Sequence, residues 1–79
     1  MRIVMRDGRV FQGTALQIVR AMQDIAFGVG DFTTAQYIDW VVDNTRRFEE
    51  LELKITGDTD DERAQALVDE MLKHSLASR

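Results

Sequence analysis

The sequence predicts a small α+β domain with a three-stranded sheet and helices packed on one of its faces. Two β-prone runs joined by Asp-Gly stand at the start of the chain, and residues 51–56 alternate cleanly between apolar and polar. Elsewhere the apolar residues recur every three or four positions, the spacing of a helix face. The predicted element order is therefore β-hairpin, two helices, third strand and C-terminal helix (ββααβα).

The hairpin is predicted from the dipeptide Asp7-Gly8, which separates the two β-prone runs and is a strong short-range turn signal. A two-residue loop at these positions pairs Val4 with Phe11. Because paired residues share a face, Val4 and Phe11 are expected to point to the same side of the hairpin. That side lies opposite the one that faces the core.

Three helices are predicted, and each begins at a threonine that is followed three residues later by Gln or Glu. This spacing is typical of a capping box, in which the two side chains and the two backbone amides bond reciprocally. The three threonines are Thr14, Thr33 and Thr59.

The ends of the helices are less sharply marked than their beginnings. The first helix is expected to reach Phe27 and to end at Gly28, a typical C-cap residue. The second is expected to run to about Phe48. The third should end near Leu76, after which the tail should fray.

Composition predicts one globular domain over residues 1–79, since chains this short do not divide into two cores. Hydrophobic residues make up 44% of the chain and charged residues 30%, which is typical of folded proteins. The chain has no Cys, no apolar run of about 20 residues and no leader-like start, so we expect a cytoplasmic protein. Without disulfides or metals to reinforce so small a core, a homodimer is the expected state.

The net charge of −4 argues against nucleic-acid binding, because affinity for phosphates comes mainly from Lys and Arg. The one basic feature is a set of three arginines, Arg2, Arg6 and Arg9, on the same predicted hairpin face as Phe11. Basic residues beside an aromatic ring can form a platform for DNA or RNA. Charged hairpin residues also serve to prevent strand aggregation, so nucleic-acid binding is the alternative function.

No catalytic, cofactor-binding or metal-ligating residues are predicted, and we expect no enzymatic activity. The acidic run that begins at Asp58 lacks the Gly and Glu of a calcium loop, because Arg63 and Asp69 occupy those positions. His74 is the only histidine and has no partner for a dyad or triad. The Gly-Val-Gly run at 28–30 lacks the remaining residues of a nucleotide-binding loop.

A surplus of apolar residues is the most informative feature for function. Trp40 and Val42 lie at the edges of an apolar arc on the second helix that is wider than one core contact needs. With Val4 and Phe11 they form a candidate interaction surface, although the same residues could instead complete a small core. The predicted function is a non-enzymatic protein-interaction or regulatory module that binds itself or another protein.

The run Asp-Gly-Arg-Val-Phe-Gln-Gly-Thr over residues 7–14, leading into a helix, resembles the start of short bacterial proteins. This resemblance implies a bacterial origin. It carries no function with it, so the functional prediction rests on the residues alone.

Overall fold

The computed structural model describes residues 1–79 and contains three strands and three helices in the order ββαααβ. The α+β class and the numbers of strands and helices are as predicted. The elements are β1 (Arg2–Met5), β2 (Val10–Gln12), α1 (Ala15–Ile25), α2 (Thr34–Glu49), α3 (Asp60–Lys73) and β3 (Ala77–Ser78). The sheet is antiparallel throughout, with β1 in the centre between β2 and β3.

The prediction of a third strand at residues 51–56 was wrong. Leu53 is buried and its alternate neighbours Leu51 and Ile55 are partly buried, so the alternation does report burial on one side. The backbone has no strand partner, however, and the amide of Lys54 donates to Glu70 Oε1 on α3 at 2.7 Å. The segment is therefore bonded to α3 and lies outside the sheet.

The third strand lies instead in the tail that was expected to fray. After α3 the chain adopts a positive φ of 59° at Ser75, and the amide of Leu76 donates to the Met71 carbonyl at 2.8 Å. The amide of Ser75 itself donates to the Leu72 carbonyl at 3.2 Å. Together these bonds form a Schellman motif. The motif reverses the chain, so that β3 pairs with β1.

The hairpin turn contains three residues, one more than predicted. The amide of Gly8 donates to the Met5 carbonyl at 2.9 Å, and the amide of Met5 donates to the Arg9 carbonyl at 2.8 Å. Gly8 has a φ of 91°, a conformation that glycine adopts without steric cost. This glycine absorbs the extra residue as a bulge and shifts the register by one.

The shifted register corrects the predicted hairpin faces. Phe11 lies opposite Ile3 and points to the core side, where it is partly buried. Val4 lies opposite Val10 on the other face of the sheet. The predicted pairing of Val4 with Phe11 was therefore wrong, and these two side chains point in opposite directions.

The threonine starts of the helices are confirmed, with one difference. Thr14 and Thr33 both form complete capping boxes. Thr59 accepts a hydrogen bond from the amide of Glu62, but the Glu62 carboxylate accepts from the amide of Asp58 and not from that of Thr59. The third helix therefore has a variant of the predicted box.

Helix α1 ends two residues earlier than predicted, since Ala26 is already extended and Gly28 lies in the following loop. A buried glutamine holds this loop in place. Gln23 Nε2 donates to the Val29 carbonyl at 2.9 Å and to the Phe32 carbonyl at 2.8 Å. No sequence pattern marked Gln23 for this role.

The core lies between the sheet and all three helices. Fully buried side chains come from each of these elements: Ile3 from β1, Ile18 from α1, Ile38 from α2 and Leu67 from α3. The other face of the sheet carries the exposed Val10, so the helices cover one face only, as predicted. None of the three helices combines the length and the apolar character that crossing a bilayer requires.

Candidate interaction surface

The four residues predicted as an interaction surface do not come together in the structure. Val4 is partly buried on the open face of the sheet, whereas Phe11 packs against the core from the opposite face. Val42 also packs against the core. Trp40, two positions away from Val42 on α2, points to a different side of the helix and remains 37% exposed.

Trp40 is held in position by a buried neighbour. Its ring stacks on that of Tyr37, with the centroids 5.8 Å apart and the planes inclined by 22°. Tyr37 is buried, and this burial raises the pKa of its hydroxyl to about 12. Because a stacked ring has already lost rotational freedom, Trp40 presents its outer face at little further entropic cost.

Two further residues continue from Trp40 along the same side of α2. Asn44 and Phe48 follow at intervals of four, so they lie one above the other on the helix surface. Asn44 Nδ2 donates to the Trp40 carbonyl at 2.7 Å, and the Phe48 side chain is 75% exposed. We call Trp40, Asn44 and Phe48 the aromatic row.

Phe48 points in a direction that falls within the apolar arc of α2, yet its side chain is exposed. The arc is defined by direction around the helix axis, whereas burial also depends on position along it. Phe48 lies one residue before the end of α2. Its proximity to the helix end was the only signal available in the sequence.

Charges of both signs flank the aromatic row. Asp43 binds Arg46 Nη2 at 2.6 Å and Arg47 Nη2 at 3.2 Å. The two arginine side chains are largely exposed and that of Asp43 is about half exposed. Exposed pairs of this kind contribute about 0.3–0.5 kcal/mol each, so they can exchange partners readily.

The loop between α1 and α2 carries two more exposed rings. Phe27 is 99% exposed and Phe32 is 37% exposed. The carbonyl of Phe32 is one of the two acceptors of the buried Gln23 side chain, so the loop has a defined conformation despite its exposed rings.

The hairpin arginines, which supported the alternative of nucleic-acid binding, are mostly engaged within the chain. Arg6 Nη1 lies 3.3 Å from Glu49 Oε1, and Arg9 Nε lies 3.4 Å from Asp7 Oδ2. Two of the three positive charges are therefore matched by a nearby carboxylate. This pairing weakens the positive electrostatic potential at the hairpin, which a phosphate backbone would need for binding.

The polar groups considered for metal binding or catalysis lie at the two ends of α3. Asp60 and Asp61 lie in the first turn of α3, where the helix dipole favours negative charge. His74 is the C-cap residue of the same helix. No group of three or more His, Asp and Glu side chains is arranged to hold a metal ion.

Glu70 is the acidic group with the most specific contacts. Its side chain is only 13% exposed, and Oε1 accepts the hydrogen bond from the amide of Lys54. This bond lowers the pKa of the carboxyl, and the positive charges of Lys73, His74 and Lys54 lower it further. Glu70 therefore anchors the 51–56 segment to α3.

Comparison of the chain with protein-family models, with curated proteins and with solved structures finds no match. The function is therefore argued from the side chains and their arrangement.

Proposed function

We propose that this protein is a small non-enzymatic interaction module that self-associates through the aromatic row of α2. The observation that supports this most directly is the exposure of Trp40 and Phe48 along the side of α2 that borders its core-facing residues. Large exposed rings are costly in water at about 25 cal/mol per Å². Trp is also enriched among the residues that dominate binding energy at interfaces.

The spacing of the aromatic row suits a symmetric pair of helices. If two copies of α2 cross antiparallel with a two-fold axis at Asn44, Trp40 of one protomer lies against Phe48 of its partner, and the same contact occurs twice. Both rings lie four residues from the axis, or about 6 Å along the helix. The self-complementary spacing is what favours a second copy over an unrelated partner.

The charges beside the aromatic row are compatible with this arrangement. In the antiparallel pair, Arg47 of one protomer comes near Asp43 of the other, because both lie close to the two-fold axis. The intramolecular pairs that these residues now make are exposed and cost little to exchange. Opposite charges therefore meet across the proposed interface.

The exposed area of the two rings determines the expected strength of self-association. The exposed parts of Trp40 and Phe48 together come to about one aromatic side chain, or about 200 Å². A standard stable interface buries about 800 Å² on each partner. We therefore expect a weak, reversible dimer with a dissociation constant between about 10 µM and 1 mM.

Cysteine cross-linking tests this geometry directly. The chain has no Cys, so the single substitution Asn44→Cys can form a disulfide only between two molecules. At the two-fold axis the two Cα atoms fall within the separation of about 4.4–6.8 Å that a disulfide requires. We expect a disulfide-linked dimer in a glutathione buffer, measured by mass under denaturing conditions. Arg20→Cys, on the exposed side of α1, is the matched control and should stay largely monomeric.

Two results would count against the proposal. One is equal cross-linking of the Asn44→Cys and Arg20→Cys variants, which indicates random collision. The other is sedimentation of the wild-type protein as a single monomer species up to about 1 mM, the weak limit of the expected range.

A further inference from the structure

A second feature, separate from the aromatic row, is a cleft of about 290 Å³ where the hairpin turn meets all three helices. Its floor is apolar and its rim is polar. The floor is formed by Met5, Met22, Val41, Met71 and Leu76, and the rim by Arg6, Asp7, Thr45 and Glu49. Neither Trp40 nor Phe48 lines it, so the cleft can act independently of self-association.

The floor suits a small apolar group. Methionine is unbranched and polarisable, so three methionines can adjust to the shape of whatever fills the cleft. Met22 and Met71 also belong to the buried core, so the floor of the cleft is continuous with the core. The volume is about twice that of a 150 Å³ cavity able to hold benzene, and it lies at the lower limit of small-molecule sites. The cleft is therefore of a suitable size for one apolar group as large as an amino-acid side chain.

Two opposite charges lie side by side on the rim, next to Asp7, whose carboxylate is paired with Arg9. Arg6 Nη1 lies 3.3 Å from Glu49 Oε1, and both side chains are about half exposed. Exposed pairs of this kind contribute little to stability, so their exchange for other partners costs little. Arg6 Nε meanwhile donates to the Ser75 carbonyl at 3.2 Å. The guanidinium is therefore held at the rim even when Glu49 releases it.

The spacing of these charges selects the class of ligand. A simple carboxylate would bind Arg6 but leave Glu49 without its partner, and a simple amine would bind Glu49 but leave Arg6 without its partner. A molecule with an ammonium and a carboxylate on one carbon satisfies both at once. Charge-assisted hydrogen bonds, including a two-pronged contact between Arg and carboxylate, are the strong ones.

We propose that this cleft binds a free α-amino acid with an apolar side chain. The carboxylate of the ligand binds Arg6, its ammonium binds Glu49, and its side chain rests on the methionine floor. Thr45 also lines the cleft, and its hydroxyl offers a further hydrogen bond. The site adds ligand recognition to an interaction module.

Methyl NMR of protein labelled with [methyl-¹³C]methionine tests the proposal, with L-leucine as the probe. The chain has four methionines. Met5, Met22 and Met71 line the cleft and Met1 does not. We expect the three cleft methyl signals to shift on titration, with a dissociation constant of about 1 mM or below, and the Met1 signal to stay in place.

Three analogues separate the contributions of the ligand. 4-Methylpentanoate lacks the ammonium, 3-methylbutylamine lacks the carboxylate and glycine lacks the side chain. Each should bind at least about tenfold more weakly than leucine, because each loses a charge-assisted hydrogen bond or the apolar contact. Equal shifts with leucine and with either singly charged analogue would overturn the claim that a zwitterion is recognised.

Variants of the rim complete the test. Arg6→Gln and Glu49→Gln should each weaken leucine binding about tenfold. Arg20→Gln should leave it unchanged, since Arg20 is exposed on α1 and does not line the cleft. Because Arg6 also binds Ser75, circular dichroism must confirm the fold of its variant, and Glu49→Gln carries the test if that variant unfolds. Unchanged binding by Glu49→Gln, or no movement of the cleft methyls up to about 10 mM leucine, would disprove the proposal.

Discussion

At the scale of single residues, Glu70 supplies the 51–56 segment with a hydrogen-bond acceptor that a neighbouring strand would otherwise supply. Its carboxylate accepts the amide hydrogen of Lys54 at 2.7 Å, and a charged acceptor makes a stronger bond than a backbone carbonyl does. The pKa of Glu70 is lowered mainly by this bond. The folded state is therefore linked to the ionisation of one side chain.

The linkage predicts a stability that depends on acid pH. The folded pKa of Glu70 lies below its ordinary value of 4.5, so its contribution is fully present above pH 4.5 and is lost as the pH falls through the lower, folded value. Glu70→Gln should be less stable than the wild type at pH 7, and its stability should fall less steeply in acid. Urea unfolding between pH 7 and about pH 3 measures both effects.

Asp69→Asn is the matched control for this experiment. It removes a neighbouring exposed carboxylate on the same helix and leaves the bond between Lys54 and Glu70 in place, so it should keep the acid dependence of the wild type. The linkage argument fails if Glu70→Gln and the wild type lose stability in parallel below pH 4.5.

Single residues also determine how far the sequence could predict the structure. Thr14 and Thr33 were identified because their capping partners lie three residues away, within one helical turn. Gln23 and Glu70 were not identified. The acceptor of Gln23 and the donor to Glu70 come close to these side chains only when the chain folds. Local chemistry is readable from the sequence, whereas contacts that depend on tertiary structure leave no pattern in it.

At the scale of elements, the end of α3 depends on a residue that is poorly suited to its conformation. Ser75 adopts a φ of 59°, which costs a non-glycine residue about 1–2 kcal/mol. Glycine at this C′ position is the usual choice. Because no glycine stands at this position, no sequence pattern marks the turn into β3.

We expect Ser75→Gly to stabilise the protein. Relief of the positive φ should outweigh the greater chain entropy that glycine loses on folding, for a net gain of up to about 1 kcal/mol. Thermal unfolding followed by circular dichroism measures the change. Ser78→Gly, at an exposed position in β3, is the control and should not stabilise. A Ser75→Gly variant that melts below the wild type would contradict this account of the turn.

The segment at 51–56 shows what alternation does and does not report. Leu53 lies in the core, Ile55 packs against it and Leu51 is partly buried, as a strand with one buried face would require. Alternation records which side chains are buried, but it carries no information on whether a strand is available to pair with the backbone. Here β3 occupies the second edge of β1, and the backbone of the segment is bonded to Glu70 on α3.

At the scale of the whole molecule, the aromatic row and the fold can be tested separately through Trp40. Its stacking on Tyr37 contributes to the fold, whereas its exposed face is free for association. We expect Trp40→Ala to lower the free energy of unfolding by about 1–2 kcal/mol, less than the about 3–5 kcal/mol of a fully buried ring. It should also weaken self-association at least about tenfold.

Urea unfolding of dilute protein measures the first effect and sedimentation at high concentration the second. Phe27→Ala removes a 99% exposed ring from outside α2 and should change neither value. If Trp40→Ala lost as much free energy of unfolding as the removal of a fully buried ring does, and its sedimentation were unchanged, Trp40 would serve only the core.

Only part of the two sites was predictable. Trp40 was identified because it lies at the edge of an apolar arc, which is a property of one helix. The cleft could not be predicted from the sequence, because its nine lining residues come from the hairpin, all three helices and the tail. No single segment contains enough of them to form a pattern.

The pairing of Met5 with Ala77 has a kinetic consequence. These two residues are far apart in the sequence, so forming the ladder closes a loop that contains all the residues between them. Closing a loop of this length is entropically costly, whereas each helix gains its contacts locally. The helices and the hairpin should therefore assemble first during refolding, and amide protection should reach β3 last.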